Sequence, residues 1–198
     1  ASNAAQAQNT GSLSGKVLRL NLDGSIPADN PIVGSPIWSL GHRNPQGLVE
    51  ANGLMYASEH GPNVEDELNI IEKGRNYGWP SVTGPCNGGE ADFCAANTVK
   101  EPIWSTGSVT LATCGIAYYG SDKIPGAKNS VFMATLKNDT LYQHILNANG
   151  TAVTSSKAWF QNKWGRLRDI CISPAGRIYI CTSNGNNKDV IVELSVLE

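Results

Sequence analysis

The residues GIAYY at positions 115–119 and VFMAT at positions 131–135 flank a polar turn, and this pattern of strand, turn and β-rich strand decides the fold prediction. The same pattern occurs at residues 47–58 and at residues 169–182. Each hairpin is followed by further stretches with β-strand character, so the repeat predicts about three four-stranded antiparallel units. These stretches are residues 68–72, 141–146, 152–160 and 190–196.

The spacing of the three units favours a β-propeller. They start at residues 47, 115 and 169 and are therefore 68 and 54 residues apart, which is near the roughly 40–50 residues of a propeller blade plus insertions. A propeller needs at least about four blades to close its ring. We therefore expect the chain to be part of a larger propeller or to assemble with a second copy. A β-sandwich is the alternative, but its strands would not repeat in this hairpin pattern.

The composition excludes several classes of protein. The 198 residues include 15 Lys and Arg and 17 Asp and Glu, a net charge of −2, so there is no excess of basic charge for binding nucleic acid. No apolar run approaches the roughly 18 residues of a membrane span. Hydrophobic residues make up 40% of the chain, which is enough for a core and argues against disorder. The small, polar residues 1–12 are expected to be flexible, and residues 78–107 are expected to be an insertion loop.

The five cysteines bear on the compartment of the protein. Cys86 and Cys94 bracket a short Gly-rich loop that a disulfide can close, and such a bridge favours an oxidising compartment. Five buried free thiols are the alternative, because reduced Cys is a common core residue. Cys171 and Cys181 flank a Pro-Ala-Gly-Arg turn, and a three-residue turn centred on its glycine would place them opposite each other. Cys114 is then left over, and no Cys or His spacing suggests a zinc site.

Four cationic residues are expected to converge at one end of the hairpins. They come just before the first strand or just after the second strand of a unit, and these positions lie at the same end of a hairpin. Guanidinium groups bind carboxylates in a bidentate manner, so such a cluster suits a polyanion with several carboxylates. The alternative is that they are solvated charges or ion-pair partners of Asp139 and Asp169. The four residues are Arg43, Lys137, Arg166 and Arg168.

The acidic residues 59–67 (EHGPNVEDE) form a turn-rich segment with oxygen ligands at short intervals. Calcium favours this mixture of carboxylates and backbone carbonyls. The segment lacks the D-x-D-x-D-G pattern of an EF-hand loop. By itself it is compatible with a calcium site or with an ordinary solvated loop.

Several motifs carry a resemblance to a known family. One is GHRNPQGL at residues 41–48, and another runs from SEHGP at 58–62 through DELN at 66–69 to NYGWP at 76–80. They resemble signatures of the soluble glucose/sorbosone dehydrogenases, quinoproteins that use pyrroloquinoline quinone (PQQ). The similarity extends over nearly the whole chain. Its remaining segments are residues 15–24, ATLK at 134–137 and WGRLRD at 164–169.

The resemblance implies an all-β fold and a set of binding residues. The family fold is a six-bladed β-propeller of four-stranded antiparallel sheets, and residues 1–198 would supply about three blades as the C-terminal portion of a single propeller domain. The implied PQQ-binding residues are Arg43, Asn44, Lys137, Arg166 and Arg168. The backbone carbonyls of Gly61 and Pro62 would hold the active-site Ca²⁺, and Glu67 and Tyr77 would belong to a second Ca²⁺ site.

The implied activity is oxidation of the C1 hydroxyl of an aldose sugar to the lactone, by hydride transfer to the quinone. The resemblance also implies an external electron acceptor and a periplasmic or secreted location. The general base of the family is a His that precedes every segment of this chain, and His42, His60 and His144 are not expected to replace it. We therefore expect the chain alone to be inactive, with its open sheet edges covered by a missing N-terminal half or a second copy. Cys114 stands where the family usually has Ser.

Two other functions remain open. The chain could be a non-catalytic propeller-type binding module that keeps the scaffold, with or without Ca²⁺. It could also be a calcium-dependent lactonase-like propeller hydrolase, which would need a ring of inward Glu, Asn and Asp ligands. The cationic cluster favours the dehydrogenase, and bleaching of a bound quinone by sugar would separate it from a binding module.

Overall fold

The computed structural model describes residues 3–196 and contains, in that range, thirteen β-strands and two short helices. The first helix is a 3-10 helix at Ala4–Ala7, and the second, α1, spans Ala91–Asn97 between β5 and β6. The strands are β1 (Lys16–Leu18), β2 (Ile37–Leu40), β3 (Pro45–Ala51), β4 (Leu54–Glu59), β5 (Glu67–Ile70), β6 (Trp104–Ser105), β7 (Thr113–Tyr119), β8 (Ser130–Thr135), β9 (Leu141–Leu146), β10 (Val153–Trp159), β11 (Leu167–Ile172), β12 (Ile178–Thr182) and β13 (Ile191–Leu194).

Four antiparallel sheets follow one another along the chain. β1 pairs with β2, β3–β6 form the second sheet, β7–β10 the third, and β11–β13 the fourth, with the strands of each hydrogen-bonded in sequence order. The prediction of about three antiparallel units is therefore confirmed, although the last unit has three strands within the described residues. The fourth strand of the first unit, β6, lies inside residues 78–107, together with α1, so only part of that segment is loop.

Glycines allow the first strands of neighbouring sheets to lie against each other. A Cβ atom on Gly47 in β3 would lie 2.8 Å from the backbone oxygen of Cys114 in β7, and one on Gly115 in β7 would lie 2.8 Å from the Cα atom of Asp169 in β11. Both positions are too close for any side chain, so only glycine permits this approach. The third residues of these strands, Gly47, Gly115 and Asp169, therefore lie next to one another. The strands β3, β7 and β11 run side by side in the same direction. Sheets arranged around such a common edge are blades of a β-propeller.

The apolar core lies between the sheets. Successive residues of a strand face opposite sides of its sheet, and β8 in the middle sheet is buried on both sides. Val131 and Met133 pack with Tyr56 of the second sheet, whereas Phe132 packs with Leu167 of the fourth. This position explains why the VFMA run of β8 is apolar throughout instead of alternating.

The structure settles the pairing of the cysteines. Cys86 and Cys94 form a disulfide, while Cys114, Cys171 and Cys181 are free. The expectation that Cys171 and Cys181 oppose each other is wrong, since they oppose Tyr179 and Asp169.

The reason is the position of the turn between β11 and β12. Ser173 N–H donates to Arg177 O over 2.9 Å, so the three-residue turn is centred on Ala175 instead of Gly176. This shifts the pairing by two residues. Gly176 instead supplies the last turn position, where its φ is 80°.

Apolar side chains are exposed on the first strand of the second sheet and on the last strand of the fourth sheet. Ile191 on β13 is 76% exposed and Leu48 on β3 is 55% exposed. The sequence analysis predicts that a missing N-terminal half or a second copy covers such open surfaces. The segment expected to be flexible contains the 3-10 helix, in which Ala7 is buried; its first two residues lie outside the described range, and its flexibility stays a prediction. Between residues 3 and 196, no helix is long and apolar enough to cross a membrane.

Candidate functional site

The expected cationic residues lie where the inner strands begin. Arg43 precedes β3 by two residues, Arg166 immediately precedes β11, and Arg168 is the second residue of β11. Lys137 follows the end of β8 by two residues, and β8 ends beside the start of β7 because Thr135 pairs with Thr113. Since β3, β7 and β11 run in the same direction, all four positions are at one end of the sheets.

Arg43 has a free hydrogen-bond donor at this end. Its Nη1 donates to the backbone oxygen of His60 over 3.1 Å, and its guanidinium lies 5.4 Å from the centre of the Trp79 ring. Its Nε is buried and has no hydrogen-bond partner among residues 3–196. A buried donor without an acceptor is costly, so this guanidinium is suited to receive an anionic ligand.

Arg168 lies on the β11–β13 blade, which the β7–β10 blade separates from the blade that Arg43 precedes. Its Nη1 is 3.3 Å from Sγ of Cys114, and its Nη2 is 3.5 Å from Oγ of Ser183. The side chains of Arg166 and Lys137 are exposed. Backbone bonds anchor both residues: Arg166 N–H donates to Oδ1 of Asn184 over 2.9 Å, and Lys137 N–H donates to Leu111 O over 2.9 Å.

None of these four cations has an acidic partner within residues 3–196, where the recorded ion pairs involve other residues. The alternative that they pair with Asp139 or Asp169 is therefore not supported. Asp169 Oδ1 instead accepts from the backbone N–H of Ile170 over 2.8 Å. The four cations at this end of the sheets are therefore not engaged in ion pairs within the described residues.

His60 lies close to two of the arginines. Burial lowers its pKa, and the positive charges of Arg43 and Arg168 lower it further, while Asp66 and Glu59 oppose the change. Its side chain is 18% exposed. His60 is therefore neutral near pH 7, and Arg43 and Arg168, from two different blades, both approach it.

Glu59 is a residue of this region that the sequence did not single out. Its Oε1 accepts hydrogen bonds from the backbone N–H groups of Arg43 and Asn44, the latter over 3.1 Å. Its Oε2 lies 2.9 Å from Nδ1 of His42, whose Nε2 lies 2.8 Å from Oγ of Ser39. Both Glu59 and His42 are buried. In the sequence, Glu59 stood only as a member of the acidic segment 59–67 and of the SEHGP motif.

Asn44 is thus held by its backbone, and its side chain is turned towards Gln46. Its Oδ1 accepts from Nε2 of Gln46 over 2.9 Å. His42 serves the loop in a structural role, since its ring also stacks on Tyr77 with centroids 4.4 Å apart.

All four residues expected to bind metal line one small cavity, although the sequence assigned them to two sites. Gly61, Pro62, Glu67 and Tyr77 surround a volume of about 10 Å³, together with Glu59 and other residues. That volume is about what a single water molecule needs. The hydroxyl of Tyr77 is already occupied, because it donates to Ile70 O over 2.6 Å and accepts from Glu72 N–H over 2.9 Å. Only the backbone carbonyl of Tyr77 is left as a metal ligand.

The carboxylates near this cavity repel one another. Burial raises the pKa of Glu67 to about 8, and the negative charges of Glu59 and Glu65 contribute to the rise. Glu67 accepts from Asn69 Nδ2 over 2.8 Å and from Gly84 N–H over 3.0 Å, whereas Oε2 of Glu65 is buried without a partner. In the described part of the chain, no three His, Cys, Asp or Glu side chains are arranged to hold a metal ion. A cation here therefore needs backbone carbonyls as well.

Two of the three histidines, His42 and His144, are buried in structural contacts. His42 is buried in the contacts with Glu59 and Ser39. His144 on β9 is buried against Trp104, with ring centroids 4.3 Å apart, and its Nδ1 lies 2.8 Å from Oγ of Ser156. Burial lowers the pKa of His144 to about 3.

Comparisons with known proteins identify similar sequences. The family model described as Glucose / Sorbosone dehydrogenase matches residues 1–192. Aldose sugar dehydrogenase YliI of Escherichia coli strain K12 is 33% identical over 196 residues, which cover 92% of this chain and 52% of that protein. Quinoprotein glucose dehydrogenase B of Acinetobacter calcoaceticus is 65% identical over 74 residues, which cover 35% of this chain and 16% of that protein.

Solved structures of two aldose sugar dehydrogenases are also similar to this chain. The PQQ-bound form of an aldose sugar dehydrogenase from Streptomyces coelicolor matches with a TM-score of 0.80 and 35% identity, over 97% of this chain and 55% of that one. The apo form of the soluble aldose sugar dehydrogenase from Escherichia coli matches with a TM-score of 0.81 and 30% identity, over 96% of this chain and 56% of that one. The chain therefore spans about half the length of these relatives.

Proposed function

The chain belongs to the glucose/sorbosone dehydrogenase family, and on that premise we propose that it forms the cofactor-binding part of a PQQ- and calcium-dependent sugar dehydrogenase. The reaction would oxidise the C1 hydroxyl of an aldose sugar to the lactone and pass the electrons to an external acceptor. Residues 1–198 would contribute about three blades to a single six-bladed propeller domain. The observation that carries the proposal is the group of four cations at one end of the sheets, which form no ion pair with an acidic residue in the described range 3–196.

The cations fit a quinone that carries several carboxylates. Arginine forks match carboxylates in a bidentate manner, and the unpartnered Nε of Arg43 supplies a donor that lacks an acceptor. The PQQ-bound state of the Streptomyces relative supports the choice of ligand. The residues that would hold PQQ are Arg43, Asn44, Lys137, Arg166 and Arg168.

Calcium would occupy the small cavity beside this group. Ca²⁺ binds carboxylate and backbone carbonyl oxygens, and the cavity wall offers both, from Gly61, Pro62, Glu67 and the backbone of Tyr77. The raised pKa of Glu67 and the unpartnered oxygen of Glu65 support a cation there, because it would stabilise the ionised form of Glu67, which burial and the neighbouring negative charges disfavour.

In the reaction, bound PQQ would supply the hydride acceptor for the sugar C1–H. Arg43 and Arg168 would fix the orientation of the ring through its carboxylates, and their charges would stabilise negative charge as it develops. His60 would remain neutral between them. The proton of the sugar hydroxyl needs a base that His42, His60 and His144 do not supply, so we expect this chain alone to bind PQQ without oxidising sugar.

The disulfide supports a periplasmic or secreted location. Cys86 and Cys94 are joined, and disulfides persist mainly in oxidising compartments.

The proposal is tested by a PQQ titration with and without Ca²⁺, followed by absorbance. We expect saturable binding that Arg43→Ala weakens at least about tenfold, the scale of one charge-assisted contact. Arg19→Ala is the matched control, because Arg19 also lies over a tryptophan, 5.0 Å from the centre of the Trp38 ring, but pairs with Asp29. Absence of binding would refute the proposal. Binding without bleaching by sugar in the complete enzyme would favour a non-catalytic module.

A further inference from the structure

We infer that Asp66 is a positioning residue that fixes Arg43 and Lys137, which lie on neighbouring blades, relative to each other. The inference rests on the proposed function, because it concerns how two of the proposed PQQ-binding cations are held. Asp66 is fully buried between β4 and β5. Neither the motifs nor the expected ligand set assigned it a role.

The carboxylate of Asp66 accepts four hydrogen bonds. Its Oδ1 accepts from the backbone N–H of Gly61 over 3.0 Å. Its Oδ2 accepts from Leu111 N–H over 2.6 Å, from Ala112 N–H over 2.8 Å and from the hydroxyl of Thr110 over 2.9 Å. One oxygen thus serves the loop after β4, and the other serves the segment that leads into β7 on the next blade.

The bond to Gly61 controls Arg43. The N–H of Gly61 and the C=O of His60 belong to one planar peptide unit. Asp66 accepts from the nitrogen side of this unit, while the carbonyl side accepts from Nη1 of Arg43 over 3.1 Å. The orientation of this peptide unit, and with it the acceptor offered to Arg43, is therefore set by Asp66.

The bonds to residues 111 and 112 control Lys137. Leu111 O accepts from the backbone N–H of Lys137 over 2.9 Å, and Ala112 O accepts from Leu136 N–H over 3.0 Å. Ala112 has a φ of 54°, a conformation that costs a non-glycine residue energy and persists only when its surroundings impose it. The bond from Ala112 N–H to Asp66 supplies such a constraint.

A carboxylate suits this task better than an amide. Four donors converge on Asp66, and an Asn side chain would turn an NH₂ group towards either Gly61 N–H or the N–H groups of Leu111 and Ala112. One of the two links would then be replaced by a contact between donors. Nδ1 of His60 lies 3.9 Å from Oδ1 of Asp66.

The test is PQQ binding by the complete protein in a double-mutant cycle. We expect Asp66→Asn to weaken PQQ binding at least about tenfold. The same change made in the Lys137→Met background should cost clearly less, because the route through Lys137 is already lost. Asp122→Asn is the matched control, since Asp122 lies in the turn between β7 and β8 and pairs at the surface with Lys128. An effect that is equal in both backgrounds would reduce Asp66 to a general structural role and overturn the inference.

A milder variant covers the case in which Asp66→Asn does not fold. Thr110→Val removes one of the four donors and leaves the charge and both backbone links. We expect it to weaken PQQ binding about threefold, the lower end of one hydrogen bond, and to have no effect in the Lys137→Met background. Unchanged affinity in Thr110→Val would count against the inference. If the unmodified protein binds no PQQ, the proposed function fails, and the inference fails with it. If it binds and neither variant differs from it, only the inference fails.

Discussion

Oε2 of Glu59 lies 2.9 Å from Nδ1 of His42, and both side chains are buried. The other carboxylate oxygen of Glu59 accepts from the backbone N–H groups of Arg43 and Asn44. A single side chain at the end of β4 thus holds the loop that precedes β3. The position of Arg43 depends on this anchor as well as on its own contacts.

We expect Glu59→Ala to lower the free energy of unfolding by about 3 kcal/mol or more, because each buried donor left without an acceptor costs about 1–3 kcal/mol. Glu59→Gln keeps one oxygen for the Arg43 and Asn44 amides and can donate to Nδ1 of His42, so a loss of about 1 kcal/mol is expected. Urea denaturation measures both values. Equal losses in the two variants would contradict this account of the anchor.

Arg166→Ala should weaken PQQ binding by about tenfold or more, which is the contribution of one charge-assisted hydrogen bond. Because Arg166 is exposed, its contribution is screened by salt, and the difference between the variant and the unmodified protein should shrink as the salt concentration rises. Isothermal titration at low and high salt measures this. An unchanged affinity at low salt would remove Arg166 from the site.

Gly115→Ala should destabilise the protein by about 3 kcal/mol or more, because the added methyl group meets the backbone of Asp169 and one strand must move. Gly88→Ala is the control, since nothing lies within 4 Å of the position that its Cβ would take. Thermal melts compare the two variants. A mild effect at Gly115 would mean that β7 and β11 are not held together as described.

The hairpins could be predicted from the sequence because they combine alternating strands with strong turn signals. β6 could not, since the two residues Trp104 and Ser105 are too few to show a period. The register of β11 and β12 was also missed, because the choice between turns centred on Ala175 and Gly176 depends on the bond from Ser173 to Arg177. Local composition does not distinguish these two turns.

The candidate site, like the fold, could be predicted from the sequence only in part. The positions of the cations follow from strand order, so their placement at one end could be predicted. Glu59 and Asp66 could not, because their roles consist of hydrogen bonds to backbone amides distant in sequence, and such bonds leave no pattern of side chains. The sequence assigned Tyr77 to a metal site. It gave no sign that the hydroxyl of Tyr77 forms hydrogen bonds with the backbone of Ile70 and Glu72.

Calcium should stabilise the protein in a way that depends on Glu67. The pKa of Glu67 is raised to about 8, so between about pH 4.5 and 8 the unfolded chain gives up this proton more readily than the folded one. Stability without metal therefore falls as the pH rises through that range. Ca²⁺ binding should strengthen over the same range, because it displaces the proton.

Glu67→Gln should remove both effects. Thermal melts at pH 6 and pH 9, with Ca²⁺ and with chelator, measure them, and Glu101→Gln at an exposed position serves as the control. If chelator does not change the melting temperature of the unmodified protein, the cavity does not bind a metal ion.

His144 should make the protein sensitive to acid. Its pKa is lowered to about 3 in the folded state, against about 6.5 in an unfolded chain. Below about pH 6.5 the unfolded chain takes up the proton first, so stability falls as the pH drops, by up to about 1.4 kcal/mol per pH unit. His144→Phe keeps a ring against Trp104 and removes the buried Nε2 that lacks a partner. Denaturation between pH 3.5 and 7 should show a flatter profile for this variant, and parallel profiles would exclude His144 as the cause.

The contacts of Gly47 and Gly115 have a consequence for how freely this protein can change its sequence. Where two blades meet through peptide atoms, their separation is set by the dimensions of the backbone, which no substitution alters. Side chains farther out along each sheet can change in volume and shift the outer strands without moving the innermost ones. Tolerance to substitution should therefore rise from β3, β7 and β11 outward, and the binding groups at the ends of these strands keep their spacing while the rest of each blade diverges.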